Sequence, residues 1–302
     1  MRVMLGTPSL ARQPALEYQM SVMRTSMLLS QFGHALDCSY TGGDCFVGKA
    51  RNGVIQTFIE TWESENPCDV LVFMDDDQAW EEQAFLRIIE DAHEFIGVCI
   101  PKKIDPECFN NMLLDQNEKG DCYVERGMLR ASQVGSGFIA LKRSVIEKMI
   151  KAYPSKYSPG DGGPHALHYN LFAPKVMWGD TDEMYDESVA LLQKMVDDPE
   201  NNKAAAQELL AKFKEEKPKI GQFWGEDLKF CHKWCALTNP ETGEPERIWI
   251  DPNVNMSHIG RKTWTGNFME YLQRHAMVTT TSNLPTVVDS IPSTLEAIRK
   301  AA

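Results

Sequence analysis

Val70-Leu71-Val72-Phe73-Met74-Asp75-Asp76-Asp77-Gln78 is the stretch on which the reading of the chain turns. Its first five residues are apolar without alternation, the pattern of a strand covered on both faces by helices in a parallel α/β sheet. The strand then meets three carboxylates. Ligands of open α/β sheets bind beyond the carboxyl ends of the strands, and no packing requirement puts three mutually repelling acids there. A divalent cation would relieve that repulsion, and carboxylate oxygens suit Mg²⁺ or Mn²⁺. A solvated acidic turn or a helix cap explains the same residues without a ligand, since Asp favours both. The neighbouring segments separate these readings.

Upstream, Val3-Met4-Leu5-Gly6-Thr7-Pro8 predicts a first strand running into a loop. Gly6 there permits close backbone approach, and Pro8 lacks an N–H for the ladder. Ala15 to Gln31 predicts a helix whose Leu16, Met20, Met23, Met27 and Leu28, mostly three or four apart, are expected in the core. Gly33 to Tyr40 predicts a turn and a second strand. A helix follows from Lys49, facing the sheet through Val54, Ile55, Phe58 and Ile59. Lys49 and Arg51 lie at its N-terminal end, where the helix dipole disfavours cations. A bound phosphate would compensate and make Arg51 a diphosphate contact; a surface arginine is the plain alternative. The order is that of a Rossmann-like half. It lacks the G-x-G-x-x-G and G-x-x-x-x-G-K-[ST] fingerprints, which argues against dinucleotide and P-loop chemistry.

Downstream, Trp80 to His93 predicts a helix. Phe95 to Pro101 predicts a buried strand with Lys102 and Lys103 just beyond it, and 105–123 an excursion over a pocket. In Gly135-Ser136-Gly137-Phe138 two glycines flank a serine before an apolar strand. That composition fits a tight turn or a backbone pressed against a ligand. Ser144 with Glu147 predicts a capping box for the helix Val145 to Ala152. His165 and His168 are spaced as H-x-x-H, without a third ligand nearby. Residues 180–219 hold eleven acids against six lysines and predict an inserted acidic helical segment with a solvated face. Glu226 and Asp227 then open a helix, which the dipole alone would favour; in a cleft, one of them would take a proton from a hydroxyl. His258 ends a later strand beside a glycine. There it is either structural or the imidazole that completes a metal sphere.

The 302 residues suffice for one large domain or one domain with an appendage. A net charge of −12 argues against a general nucleic-acid or anionic-membrane binder. No apolar run reaches the roughly 18 residues of a membrane helix, and no signal-peptide pattern stands before the first strand. Eight scattered cysteines fit a reducing, cytoplasmic setting better than a disulfide framework.

With these residues in order, the sequence resembles the GT-A-type glycosyltransferases, of the family-2-like kind. Lys49-Ala50-Arg51-Asn52 is similar to the "ARN" helix start of many members, and Phe73-Met74-Asp75-Asp76-Asp77 to the D-x-D motif. Gly135 to Phe138 is similar to the glycine-bearing donor and acceptor segment, and Trp224-Gly225-Glu226-Asp227 to the E-D motif. Trp249-Ile250-Asp251-Pro252 through His258-Ile259-Gly260 is similar to the closing strand with its metal histidine. Asp76, a third acid, leaves the register of the D-x-D open.

The resemblance implies a Rossmann-like mixed sheet flanked by helices. Residues 1–265 would form the catalytic domain, with 1–101 the nucleotide-binding half and 130–179 plus 220–265 the acceptor and metal-completing half. Residues 180–219 would be an insertion or lid, and 266–302 a C-terminal helical extension. It implies Asp75, Asp77 and His258 on Mn²⁺ or Mg²⁺, and Thr7, Pro8, Asp37, Arg51, Asp75, Asp76 and Gly137 around a nucleotide sugar, most commonly a UDP-sugar, with GDP-linked donors open. Asp227 would be the general base of an inverting transfer, with Glu226 orienting it or binding the acceptor. The partners are that donor and an acceptor of unassigned class, whether glycan, protein, lipid or modified nucleobase. A nucleotidyltransferase is the rival, although Gly6 to Arg12 is a poor version of its basic, glycine-rich loop. A non-catalytic sugar-binding or scaffolding protein of the same fold is the third reading.

Overall fold

The computed structural model describes residues 1–109, 113–160, 167–173, 175–178, 183–198, 203–215 and 221–275. His165 and everything after residue 275 lie outside them, and with these the H-x-x-H pairing and most of the C-terminal extension. The chain divides into two compact units, one built from the residues up to Ala173 and from Glu226 onward, the other from Pro174–Gly225.

The first unit opens with β1 (Arg2–Ser9), α1 (Leu16–Gln31), β2 (Ala35–Gly42), α2 (Val47–Glu60) and β3 (Val70–Met74). Next come β4 (Gln78–Trp80), α3 (Glu82–Glu90), β5 (Phe95–Gly97), β6 (Leu113–Leu114), β7 (Val124–Glu125), β8 (Met128–Gln133), β9 (Phe138–Lys142) and α4 (Arg143–Ala152). A short hairpin, β10 (Lys156–Tyr157) with β11 (His168–Tyr169), ends this part. The second unit holds β12 (Lys175–Trp178), α5 (Glu183–Asp197), α6 (Lys203–Glu215) and β13 (Gly221–Trp224). There β12 and β13 pair antiparallel, while Val196, Ala206 and Leu210 close α5 on α6. The first unit resumes with α7 (Glu226–Cys235), β14 (Ile248–Ile250), β15 (Asn255–Ile259), β16 (Thr263–Asn267) and α8 (Phe268–Arg274).

The main sheet is mixed, in the order β2-β1-β3-β9-β5-β14-β8-β6 with β7 beside β8. β1 runs parallel to β2 and β3, and β9 runs antiparallel to both β3 and β5. All five residues of β3 are buried, and their alternation splits the core in two. Val70, Val72 and Met74 face a cluster with Tyr18, Phe85 and Ile89 of α1 and α3. Leu71 and Phe73 face the other, with Phe58, Ile146, Phe230 and Trp234 of α2, α4 and α7. The result is a Rossmann-like sheet flanked by helices on both faces. Gly6 serves this packing: a Cβ there would stand 2.3 Å from Val54 Cγ1 of α2.

Several local expectations change. The strand predicted to stop at Pro8 continues to Ser9, with Pro8 opposite Thr41. Trp80 closes a strand rather than opening a helix, and α3 covers only Glu82–Glu90. The proline- and glycine-rich stretch 155–171, whose composition predicts a loop, carries the β10–β11 pairing instead. Ser144 lies inside α4 and donates to Glu94, while Glu147 accepts from Arg143, so the capping box does not form. The methionines of α1 are also reversed. Leu16, Met20, Met23 and Met27 are exposed, and Tyr18, Ser21, Thr25 and Leu29 face inward. Both sets have helical spacing. The polar set wins because its hydroxyls have work inside: Ser21 and Thr25 hydrogen-bond Trp80, and Tyr18 bonds Thr7.

Candidate active site

The acid turn follows directly from the end of β3 and is pinned at each residue by a different part of the chain. The Asp75 N–H donates to Gly137 O at 3.0 Å, Asp76 O accepts from Ala15 N at 2.8 Å, and Asp77 O accepts from Ile259 N at 2.7 Å. Pairing of β4 with β15 sets Gln78 opposite His258 and so brings the imidazole to Asp77. These backbone bonds fix where the carboxylates start.

The side chains then fan apart, each to its own partner. Asp75 Oδ1 accepts from Arg51 Nη2 at 2.9 Å. Asp76 accepts from the Ser9 hydroxyl. Asp77 Oδ2 accepts from Lys103 Nζ at 2.5 Å, while its Oδ1 stands 3.5 Å from His258 Nε2. Burial pushes the Asp76 carboxyl above its ordinary range, and its two acidic neighbours add to this against the Ser9 bond. For Asp77 burial acts the same way, but the hydrogen bonds and charges of His258 and Lys103 prevail and hold it low.

Arg51 is the hub. It is 4% exposed and, besides Asp75, donates from Nη1 to Glu226 Oε1 at 2.6 Å. The same helix start arranges the rest. Asn52 clamps the 171–172 backbone, donating to Phe172 O at 3.1 Å and accepting from Phe172 N at 2.8 Å. Phe172 stacks on Phe230 of α7 with centroids 4.2 Å apart, which fixes where α7 begins. Gly48 completes the approach, since a Cβ there would lie 2.8 Å from Phe172 O and 3.2 Å from Glu226 Cβ.

These elements surround an open cleft of about 540 Å³, a size that suits a small-molecule ligand. Pro8, Arg51, Asp75, Asp76, Asp77, Gly137, Glu226, Asp227 and His258 all line it. Two expected nucleotide contacts do not. Thr7 is fully buried with its hydroxyl 2.5 Å from Tyr18 Oη. Asp37 sits opposite Met4, well before the carboxyl end of β2, where Arg2 Nε holds it at 2.5 Å. The parallel register puts it toward the wrong end of the sheet for a ligand. Arg51 is in the cleft, but on carboxylates rather than at a free helix end.

Sequence reasoning missed Gln78, Ser136, Ser9, Lys102 and Asp44, which also line the cleft. Gln78 Oε1, Ser136 Oγ and Arg51 Nε are buried without a hydrogen-bond partner among the described residues. A buried polar atom left unpaired costs about 1–3 kcal/mol, so three in one wall point to a polar ligand. The sequence carried little signal for Gln78, which opens β4 where the sequence predicts the approach to a helix. Gly137 presses on the same wall, because a Cβ there would meet Gln78 Nε2 at 2.4 Å, Ile100 Cδ1 at 2.6 Å and Asp75 Oδ2 at 3.0 Å. Gly137→Ala should therefore cost about 1–3 kcal/mol by overpacking. Urea unfolding checks this, and an unchanged midpoint would refute the crowding.

Asp75, expected with Asp77 and His258 on a metal, stands apart from that pair on Arg51. Among the described residues no three His, Cys, Asp or Glu side chains converge closely enough to hold an ion. Asp77 and His258 still fit one as a partial donor set. His258 Nδ1 lies 2.8 Å from the Pro101 carbonyl and must donate to it, which in the neutral ring leaves the Nε2 lone pair toward Asp77. No described helix is long and apolar enough to cross a membrane.

No family model matches the sequence, and no curated protein matches it. Solved structures do. A197 from STIV superposes with a TM-score of 0.39 at 13% identity, over 86% of each chain. A glycosyltransferase involved in the glycosylation of the major capsid of PBCV-1 gives 0.28 at 8% identity, over 56% of this chain and 72% of that one. A 4-diphosphocytidyl-2C-methyl-D-erythritol synthase from Anaerococcus prevotii DSM 20548 gives 0.27 at 11% identity, over 52% and 77%. At TM-scores this low none of the three decides the activity of this chain.

Proposed function

We propose that the protein is a metal-dependent glycosyltransferase that moves a sugar from a UDP- or GDP-sugar to an acceptor hydroxyl with inversion. The observation that carries this reading is one cleft in which the acid turn, Gly137 and the Glu226–Asp227 helix start meet, its wall holding unpartnered buried polar atoms. Gln78 and Ser136 put polar side chains in the wall against which a polyhydroxylated diphosphate ligand would lie. Asp77 and His258 would hold the Mn²⁺ or Mg²⁺ ion, whose chemistry when bound is to neutralise charge developing on the departing diphosphate.

The two carboxylates that open α7 divide the remaining work. Glu226 already accepts a charged hydrogen bond from Arg51, so it positions the helix start and is poorly placed to take a proton. Asp227 beside it, without a link to Arg51, is the general base for the acceptor hydroxyl. Lys102 lines the same cleft and favours an anionic donor.

A thermal-shift panel of UDP, GDP, CDP and their sugars, with and without Mn²⁺, tests the reading on wild type and Asp77→Ala. The expected result is stabilisation by one nucleotide class that needs Mn²⁺ and disappears in Asp77→Ala. A flat panel would leave a scaffold of this fold, and a preference for nucleoside triphosphates would favour a nucleotidyltransferase.

A further inference from the structure

Lys103 is joined to the carboxylate through which this site would take its ion. Its ammonium lies 2.5 Å from Asp77 Oδ2, on the carboxylate that also faces His258 Nε2. The stem is seated rather than loose: a Cβ on Gly260 would stand 3.1 Å from Lys103 Cδ and 3.5 Å from Cε. The loop bearing it is also anchored, since Lys102 N donates to Cys108 O at 2.6 Å. That the cleft awaits a ligand rests separately on the unpartnered Gln78 Oε1 and Ser136 Oγ in its wall.

We infer that Lys103 is a tethered counter-cation that exchanges with the divalent ion at Asp77 and thereby sets the affinity of the site for metal. The inference rests on the metal-dependent reading above. An ammonium and a divalent ion on one carboxylate would stand roughly 3–4 Å apart, where like charges repel strongly, so one leaves as the other arrives. Exchange is feasible because the Lys103–Asp77 pair is only partly buried, with side chains 34% and 37% exposed. Before the ion binds, Lys103 offsets the repulsion among the three acids. Afterwards it is released beside Lys102, which lines the cleft.

The test is Mn²⁺ binding, followed by the electron paramagnetic resonance of the free ion, on wild type, Lys103→Met, Lys103→Gln and Asp77→Asn. Both Lys103 variants are expected to bind Mn²⁺ about five- to tenfold more tightly than wild type, and Asp77→Asn to lose binding. Metal-free Lys103→Met should melt below wild type, with saturating Mn²⁺ closing the gap. Equal or weaker Mn²⁺ affinity in both Lys103 variants, with wild type binding the ion, overturns the exchange and leaves the metal-dependent reading standing. Absence of Mn²⁺ binding in every protein, with or without a nucleoside diphosphate, overturns both.

Discussion

Asp227→Asn is expected to lower sugar transfer by about 10²–10⁴-fold, the usual contribution of a positioned general base, while donor binding stays within about twofold. The asymmetry between the two carboxylates of the helix start is the reason. Arg51 Nη1 reaches Glu226 Oε1 at 2.6 Å, so that side chain is tied to the floor of the cleft. Asp227 lines the cleft without that tie. Asn keeps the size and polarity of the side chain but cannot accept the proton, so the loss should fall on kcat. Release of nucleoside diphosphate from the donor, with water or added acceptors, measures the rate, and the thermal shift by the nucleotide measures binding. If Glu226→Gln removed turnover while Asp227→Asn left it intact, the roles assigned to the pair would be wrong.

The second large effect is on stability. Arg51→Met should destabilise the sheet unit by about 3 kcal/mol, because it strands two carboxylates that the guanidinium now serves together. Arg51 is 4% exposed, and its two partners come from different ends of the sequence, Asp75 after β3 and Glu226 at α7. Arg51→Lys should recover only part of the loss, since one ammonium cannot reproduce the forked contact to both acids. Urea midpoints for the three proteins check this. Equal midpoints for wild type and Arg51→Met would show that the bridge contributes nothing.

Arg51 also shows why the site was only partly readable beforehand. A cation near a helix N-terminus suggests a phosphate, and from sequence alone nothing reveals that Glu226, 175 residues away, arrives as its partner. Asp37 illustrates the opposite error: an acid on the second strand looked available for a nucleotide, but the register sets it opposite Met4, where the Arg2 side chain holds it. The exposed Met20, Met23 and Met27 make a third case. Helical spacing identifies a face but not its direction, and here the inward face carries Ser21 and Thr25 because Trp80 needs their hydroxyls.

By itself the sequence determined the buried strand, the carboxylates at its end, and the order of helices and strands that makes an α/β sheet, since each of these is local pattern and composition. It also marked the charged part of the cleft, with Arg51, the acid triplet, Glu226, Asp227 and His258, and Gly137 beside them. Only the tertiary structure decided which partner each acid takes, that Gln78 and Ser136 in the cleft lining carry buried polar atoms without partners among the described residues, and that Lys103 rests on Asp77. The physical reason is that hydrogen bonds and ion pairs act over about 3 Å, and the groups they join here come from segments far apart in the chain.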